Sequence, residues 1–493
     1  MKQLILFSIF LSFAFAMCGQ DSIVWGKEQE MGRKGRSISL IGEAQGNKYV
    51  FAVEGADHFI EIHRESKSIS TIPIEMPEID GNKMDFVKLL IADKGLLLIT
   101  KGSLKSENVK VAYGTPISFD GTPTDLPVLL DEIALGKSRN KVVFGFEMSP
   151  SKQLLLVYHD SPFQKKSNDR LKFKVYDTSL GLLWEKELQL PYEEEVFELA
   201  EYSIDNIGRV YMLSGMGQEM ENNLRLDMSA RDARSVLVTY DPVANKLKEF
   251  DVGLKDKWVM SIGIDFAANN DAVISGFYSK DQLNTVGGTF YFRISSKENA
   301  MVAGGLSPFP DEFLSEFSSN RRAERASELD RFRLKEMLVD SIGKVILIGE
   351  QHYVNERITT DMGNGRQRIT YDYIYNDLVA IQLDEKGKIT WNARIPKEQM
   401  SVDDNGPYSS FAVANSNGKL ILLFNDHPGN TELLAENSKV RLKPFRSFGK
   451  SVITMVELDS TGNMTRRTLS DSKVGNSIFK PKLFSLINNG VWL

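Results

Sequence analysis

The sequence predicts an all-β protein, a β-propeller of seven or eight four-stranded blades closed by its N- and C-terminal strands. Three observations point there. Alternating apolar runs recur along nearly the whole chain, two kinds of Asp/Asn-and-Gly turn recur between them, and the four-strand unit restarts about every fifty to seventy-five residues. With 493 residues, 42% of them hydrophobic and 26% charged, the chain can build a large core under a soluble surface. Its net charge of −6 argues against nucleic acid as a partner, which would demand a basic face.

The N-terminus reads as a secretory signal. Lys2 supplies a positive start, Leu4 to Phe15 an apolar stretch, and Ala14-Phe-Ala16 a small-residue cleavage site. This divides the chain into a signal peptide at 1–19 and a propeller domain at 20–493. Export to the periplasm, the outer-membrane surface or the medium follows, and no later apolar run is long enough to span a bilayer. Cys18 is the single cysteine, so the body holds no disulfide, thiol nucleophile or thiolate ligand. Lipidation at Cys18 is the less favoured reading, because Met17 stands where a small residue is wanted.

First strands of the repeat read as Ser37-Ile-Ser-Leu-Ile, Asp85-Phe-Val-Lys-Leu-Leu, Lys141-Val-Val-Phe-Gly-Phe, Val196-Phe-Glu-Leu, Trp258-Val-Met-Ser-Ile, Phe332-Arg-Leu-Lys-Glu-Met and Ser410-Phe-Ala-Val. From the second of these onward, a richer apolar partner follows: Leu96-Leu-Leu-Ile, Leu154-Leu-Leu-Val, Val210-Tyr-Met-Leu, Ala272-Val-Ile-Ser, Val345-Ile-Leu-Ile and Leu420-Ile-Leu-Leu. Alternation marks a half-buried strand, and a continuous apolar run one covered on both faces. Turns such as Asp93-Lys-Gly95, Asp205-Asn-Ile-Gly208, Asp340-Ser-Ile-Gly343 and Asn415-Ser-Asn-Gly418 join first to second strands. A second series, around Asp177, Asp384 and Asp459, joins third to fourth strands. In both, the carboxylate or amide caps its own turn and glycine takes the positive-φ position. About seven units are complete, and a partial one at Phe479 to Leu493 can be completed by Ile23-Val-Trp-Gly26, which closes the ring. Two consecutive β-sandwiches would give similar strands, but not this regular period.

Asp384-Glu-Lys-Gly-Lys-Ile-Thr-Trp391 and Asp177-Thr-Ser-Leu-Gly-Leu-Leu-Trp184 resemble the hairpin of quinoprotein-like and WD40-like propellers. With the leader, Trp25-Gly26 and Asn376-Asp-Leu-Val-Ala-Ile-Gln-Leu-Asp, the chain is similar to uncharacterised exported propeller proteins of Bacteroidota. The resemblance implies a fold and brings no catalytic residues. A quinoprotein dehydrogenase would add a vicinal disulfide, which the cysteine-free body lacks.

In a four-stranded antiparallel blade, the first-to-second and third-to-fourth turns share one face. The long insertions fall on the other: His159–Arg170, Gly215–Arg234, Tyr278–Gly288, Ser307–Asp330, His352–Tyr375 and Asn425–Lys450. Length variation confined to one face marks a binding surface on a rigid scaffold. His159-Asp160, Glu350-Gln-His352 and Asp426-His427 recur there at the ends of second strands and are the candidate binding residues. Imidazoles and carboxylates together suit metal binding or acid–base work, while strand-end capping in separate turns is the plainer reading. Ser307–Asp330 reads as a helix with Phe313, Leu314 and Phe317 on its apolar side, and Asn355–Tyr375 as a long hairpin with paired tyrosines. There is no phosphate loop, His-Glu-x-x-His or nucleophile elbow. The expectation is a non-enzymatic binding or scaffold module for a protein or glycan at the cell envelope, with no cofactor or metal. The alternative is a metal-assisted hydrolase or lyase on the same face.

Overall fold

The computed structural model describes residues 36–64, 69–104, 107–134, 143–160, 168–193, 199–214, 235–280, 284–317, 328–360, 367–416, 418–436, 440–446, 451–469 and 480–481. The expected signal peptide, Cys18 and the expected closing segments at 23–26 and 479–493 lie outside these, apart from Lys480 and Pro481.

The chain is nearly all β, laid out as antiparallel meanders in sequence order. The first sheet comprises Arg36–Ala44, Asn47–Glu54, Asp57–His63 and Ile69–Ile74; the second Asp85–Ile91, Leu96–Leu104, Val109–Ile117 and Val128–Ala134. Gly145–Met148, Leu154–Asp160, Asn168–Asp177 and Leu182–Glu193 form the third; Leu199–Ile204, Val210–Ser214, Val236–Asp241 and Lys246–Asp251 the fourth. The fifth is Trp258–Phe266, Ala272–Ser279, Gly288–Ser295 and Ala300–Pro308. Phe332–Val339, Val345–Thr360, Gln367–Leu383 and Ile389–Ile395 make the sixth, to which Gln399–Val402 adds by pairing with Gln367–Leu383. Ala412–Ser416, Lys419–Asp426, Val452–Leu458 and Met464–Thr468 make the seventh. The third sheet starts at Gly145, after Val143 and Phe144, while 141–142 and 196–198 of the expected first strands lie outside the described residues.

Second strands are the most buried. Every residue of Ala272–Ser279 is inaccessible, whereas the fourth strand Lys246–Asp251 buries only Phe250. The apolar side chains of each sheet pack on those of the next. Phe51 shares a core with Leu98, Ile99 with Leu155, and Val175 with Met212. Leu213 meets Ile274, Val273 meets Leu347, and Ile348 meets Leu422. Each such large side chain withdrawn from water contributes roughly 1.5–3 kcal/mol.

The tight turns are tied into a belt. The Asp93 N–H donates to the Lys152 carbonyl (3.0 Å) and the Ala268 N–H to that of Ser341 (3.2 Å). Asn206 Oδ1 accepts from the Ser151 N–H (2.7 Å), and Asn206 Nδ2 donates to Asn270 Oδ1 (2.7 Å). These bonds link first-to-second turns from the second sheet to the sixth. Thr178, in a third-to-fourth turn, joins them by donating to Asp93 Oδ1 at 2.6 Å. Antiparallel topology therefore sends the remaining connections to the opposite face. There lie the small ladder of Thr285–Val286 with Leu329–Asp330 and the helices Asp311–Ser315 and Asn430–Glu436.

The turns themselves repeat one device. In Asp205, Asp340, Asp384 and Asp459, one carboxylate oxygen accepts the N–H groups two and four residues on. The residue three on is then left-handed: Gly208 (φ 85°), Gly343 (94°), Gly387 (82°) and Gly462 (85°). Lys152 occupies the corresponding place with φ 60°.

One expectation needs correcting. Ser307–Asp330 is not one helix: its start belongs to the strand Ala300–Pro308, its end pairs as Leu329–Asp330, and among the described residues between them the helix is Asp311–Ser315. The four aromatic rings Phe309, Phe313, Phe317 and Phe332 stack edge to face in series and anchor this stretch. The arginines at 321, 322 and 325 lie outside the described residues.

Lys152→Gly removes a side chain from a left-handed residue and should raise unfolding free energy by about 1 kcal/mol, whereas Gly208→Ala should lower it by about as much. Denaturant midpoints of the two variants check both signs.

Candidate functional site

The long-connection face carries its densest polar cluster between the sixth and seventh sheets. After Ile395 the chain turns through Pro396 and sends Lys397 into a fully enclosed position. Its ammonium meets Glu350 Oε1 at 2.8 Å and donates to the Tyr375 carbonyl and Gln399 Oε1, each at 3.0 Å. Ser410 supplies two more bonds: its hydroxyl donates to Glu350 Oε2 (2.8 Å) and its N–H to Gln399 Oε1 (2.7 Å). Ser410 does so from a left-handed backbone, φ 76°, a conformation that only its surroundings can hold. Gln399 Nε2 then reaches the Asn425 carbonyl at 2.7 Å, crossing to the seventh sheet.

Asp426, next along, is equally enclosed. Oδ1 accepts from the His427 N–H (2.8 Å) and Asn430 Nδ2 (2.7 Å), while Oδ2 accepts from Thr454 Oγ1 (3.2 Å) and Arg466 Nη2. Arg466 Nη1 bonds the Pro396 carbonyl at 2.7 Å, so the two halves of the cluster share an arginine and a peptide unit. Burial pulls the Lys397 ammonium downward, and the Glu350 carboxylate opposes that pull. A buried pair of this kind is costly to break from one side only.

Beside the cluster opens a cleft of about 400 Å³. Arg394, Arg466 and Glu316 line it together with Pro396, Thr431, Leu434, Ala435 and Met464. Arg394 is clamped by Asp377, with Nε at 2.8 Å and Nη2 at 2.7 Å, and lies over the Phe317 ring. Both guanidiniums thus have a carboxylate behind them. The cleft offers oriented donors and an apolar wall, which suits a surface of mixed character.

Of the residues singled out by sequence, Glu350 and Asp426 meet in this one network. His352 stacks its ring on Tyr375, with centroids 4.2 Å apart, at the network's edge. His427 Nδ1 accepts the Gly429 N–H at 3.1 Å, closing its own turn. His159 lies elsewhere, between the second and third sheets. Its Nε2 is 3.2 Å from Asp131 Oδ2, and its ring meets Phe144 edge-on. Asp160 ends that same strand, its backbone opposite Leu171. The described residues hold no group of three or more His, Cys, Asp or Glu side chains arranged to grip a metal ion.

Asp131 is itself a centre that sequence reading passed over. Lys172 and Lys174 approach its Oδ1 at 3.2 and 3.0 Å. Burial pushes this carboxyl up, but bonds and charge from His159 and Lys174 outweigh it and hold the group far below the usual carboxylate range. A bulge between Leu129 and Asp131 turns both Leu130 and Asp131 inward. A second unforeseen group lies on the first strands of the third to fifth sheets. Glu201 is pushed up to about 7 by burial, with Glu147 and Asp265 adding repulsion. Lys88 meets Glu147 at 3.6 Å from the neighbouring first strand.

No family model matches the chain, and no curated protein does either. Solved structures do. The uncharacterised protein lmo1340 from Listeria monocytogenes EGD-e aligns at 10% identity and TM-score 0.37 over 81% of this chain and 86% of its own. A protein of unknown function from Bacteroides caccae aligns at 12% identity and TM-score 0.29, over 73% of this chain and 93% of its own. Prolyl oligopeptidase B from Galerina marginata gives 10% identity and TM-score 0.41 over 92% of this chain; the match spans 53% of the peptidase.

Lys397→Met leaves Glu350 buried without its cation and should cost about 3–5 kcal/mol of stability. Adding Glu350→Leu should recover much of the loss, a coupling that a double-mutant cycle by denaturant unfolding measures. For Glu201, the folded pKa lies above the unfolded one. Its contribution is therefore present below the unfolded carboxylate range and lost as pH rises through about 7. Glu201→Gln should stabilise the protein by about 2 kcal/mol near pH 8 and by nothing near pH 4, as unfolding curves at the two pH values will show.

Proposed function

We propose that this chain is an exported β-propeller, a ring of seven or eight blades closed by its two ends, that works as a non-enzymatic binding or scaffold module. Its partner is a protein or glycan at the cell envelope, engaged through the long-connection face. The observation that carries the reading is the division between the two faces. Tight turns are hydrogen-bonded to one another across five sheets on one side, while the helices, the long hairpin and the cleft gather on the other. A scaffold with one face fixed and one elaborated is built for recognition. The leader at 1–19 supports export, and the resemblance to exported propellers supports the ring.

Within this reading Glu350 and Asp426 are positioning residues. Asp426 holds Arg466 at the cleft wall, and Glu350 holds Lys397 beneath it. The cleft sits where the short helix Asn430–Glu436 turns Thr431 and Leu434 toward Met464.

A photo-crosslinking residue at Ala435, on the long-connection face, should yield adducts of one defined mass in the native envelope. The same residue at Val243, in a tight turn and 93% exposed, should yield none. Equal yields at both positions, or none at Ala435, would rule the assignment out.

A further inference from the structure

In the sixth sheet, Val345–Thr360 and Gln367–Leu383 run on past the other strands as a two-stranded hairpin. The first strand, Phe332–Val339, covers the outer edge of Val345–Thr360 only as far as Gln351. One further bond, from the His352 N–H to the Arg331 carbonyl (3.2 Å), ends that cover. From 353 to 360 no strand among the described residues pairs with this edge. The hairpin's other edge is treated differently. Gln399–Val402 adds to it as a short strand opposite Asp372–Tyr375, and Asp403 continues by bonding the Tyr371 N–H and carbonyl. The chain itself therefore uses this hairpin as a template for strand addition, on one side only.

An open edge presents alternate N–H and C=O groups at the spacing of another extended backbone, and of no other common ligand. Natural edges are usually blunted by proline, lysine, a bulge or inward charge. Tyr353-Val-Asn-Glu-Arg-Ile-Thr-Thr360 has no proline and no lysine, and its pairing with Gln367–Tyr375 runs without a register shift. Pairing places Val354 opposite Tyr373, Glu356 opposite Tyr371 and Ile358 opposite Ile369, so these side chains share one face. Val354 (45%), Ile358 (57%), Ile369 (49%) and Tyr371 (41%) stand exposed on it. Along the same edge, the other face carries Arg357, paired with Asp372 yet 58% exposed, and Tyr353, over which Arg331 stacks. Alternation thus gives this edge one face with exposed apolar residues flanking Glu356, and an opposite face on which Arg357 is paired with Asp372 and Arg331 with Asp330.

We infer that residues 353–360 accept an extended peptide segment of the partner by strand addition, one whose alternate apolar residues fall on the face of Val354 and Ile358. The inference rests on the reading of the long-connection face as the binding face, and it names the partner's chemistry there.

The probe is a displayed library of random peptides of roughly ten residues, long enough to span the edge at about 3.4 Å per residue. It is panned on the full chain. Enriched peptides should alternate apolar and polar residues, and should lose about tenfold or more in affinity for a Val354→Lys/Ile358→Lys variant. Val354→Thr/Ile358→Thr serves as a gentler pair should the lysines lower the melting temperature. N-methylation of alternate peptide bonds should abolish binding in one phase and spare it in the other, a signature that side-chain contacts alone do not give. Absence of enrichment, indifference to the edge variants, or equal tolerance of both N-methylation phases would overturn strand addition. Peptides that crosslink at Ala435 and ignore the edge variants would sink this inference and leave the long-connection face as the binding surface. Peptides that crosslink at Val243 would sink both.

Discussion

No sheet in this protein can cover itself. A second strand such as Ala272–Ser279 is buried on both faces, and a four-stranded meander has nothing of its own to lay on either. The second to sixth sheets therefore each lie between two others, and the core becomes a series of shared seams. Phe51 with Leu98, Val175 with Met212 and Ile348 with Leu422 mark three of them. The first strands Gly145–Met148, Leu199–Ile204 and Trp258–Phe266 are drawn side by side by the same demand, which is what brings Glu147, Glu201 and Asp265 within reach of one another.

Where a seam is not apolar it is closed with charge. Between the second and third sheets Asp131 collects His159, Lys172 and Lys174; between the sixth and seventh, Glu350 takes Lys397 and Asp426 takes Arg466. These groups fix one geometry, because any other would leave a charge without its counterpart in a dry interior. The second of these knots also bears the wall of the cleft. Orientation of Arg394 and Arg466 is thus inherited from the way two sheets are fastened together, a rigid base for a contact surface.

The sheets were legible from sequence because their signals are local. Alternation, the apolar second strands and the Asp-x-x-Gly turns depend on residues a few places apart, and they locate the meanders and both kinds of hairpin. A boundary slipped where an apolar run began ahead of its strand, as at Val143 and Phe144 before Gly145. The helix reading of Ser307–Asp330 failed because its apolar spacing serves an aromatic stack instead. Site residues were half visible. Glu350 and Asp426 stand at strand ends, where a polar residue interrupts an apolar run. Lys397 gave no signal at all, since a lysine after Pro396 reads as an ordinary solvated loop, and its burial is decided by Glu350, forty-seven positions away. Asp131 was hidden by a bulge that alternation does not anticipate.

The repeated carboxylate turn bears on how the chain reaches its folded state. Because Asp205, Asp340, Asp384 and Asp459 each close a turn with their own next four residues, these four hairpins carry their register within themselves. Nucleation is then free to begin in the fourth, sixth or seventh sheet and spread to its neighbours, as in other repeat chains. The Lys397–Glu350–Ser410 knot obeys the opposite schedule. Its charges leave water only once two sheets have met, so it forms late and acts as a brake on unfolding more than an accelerator of folding.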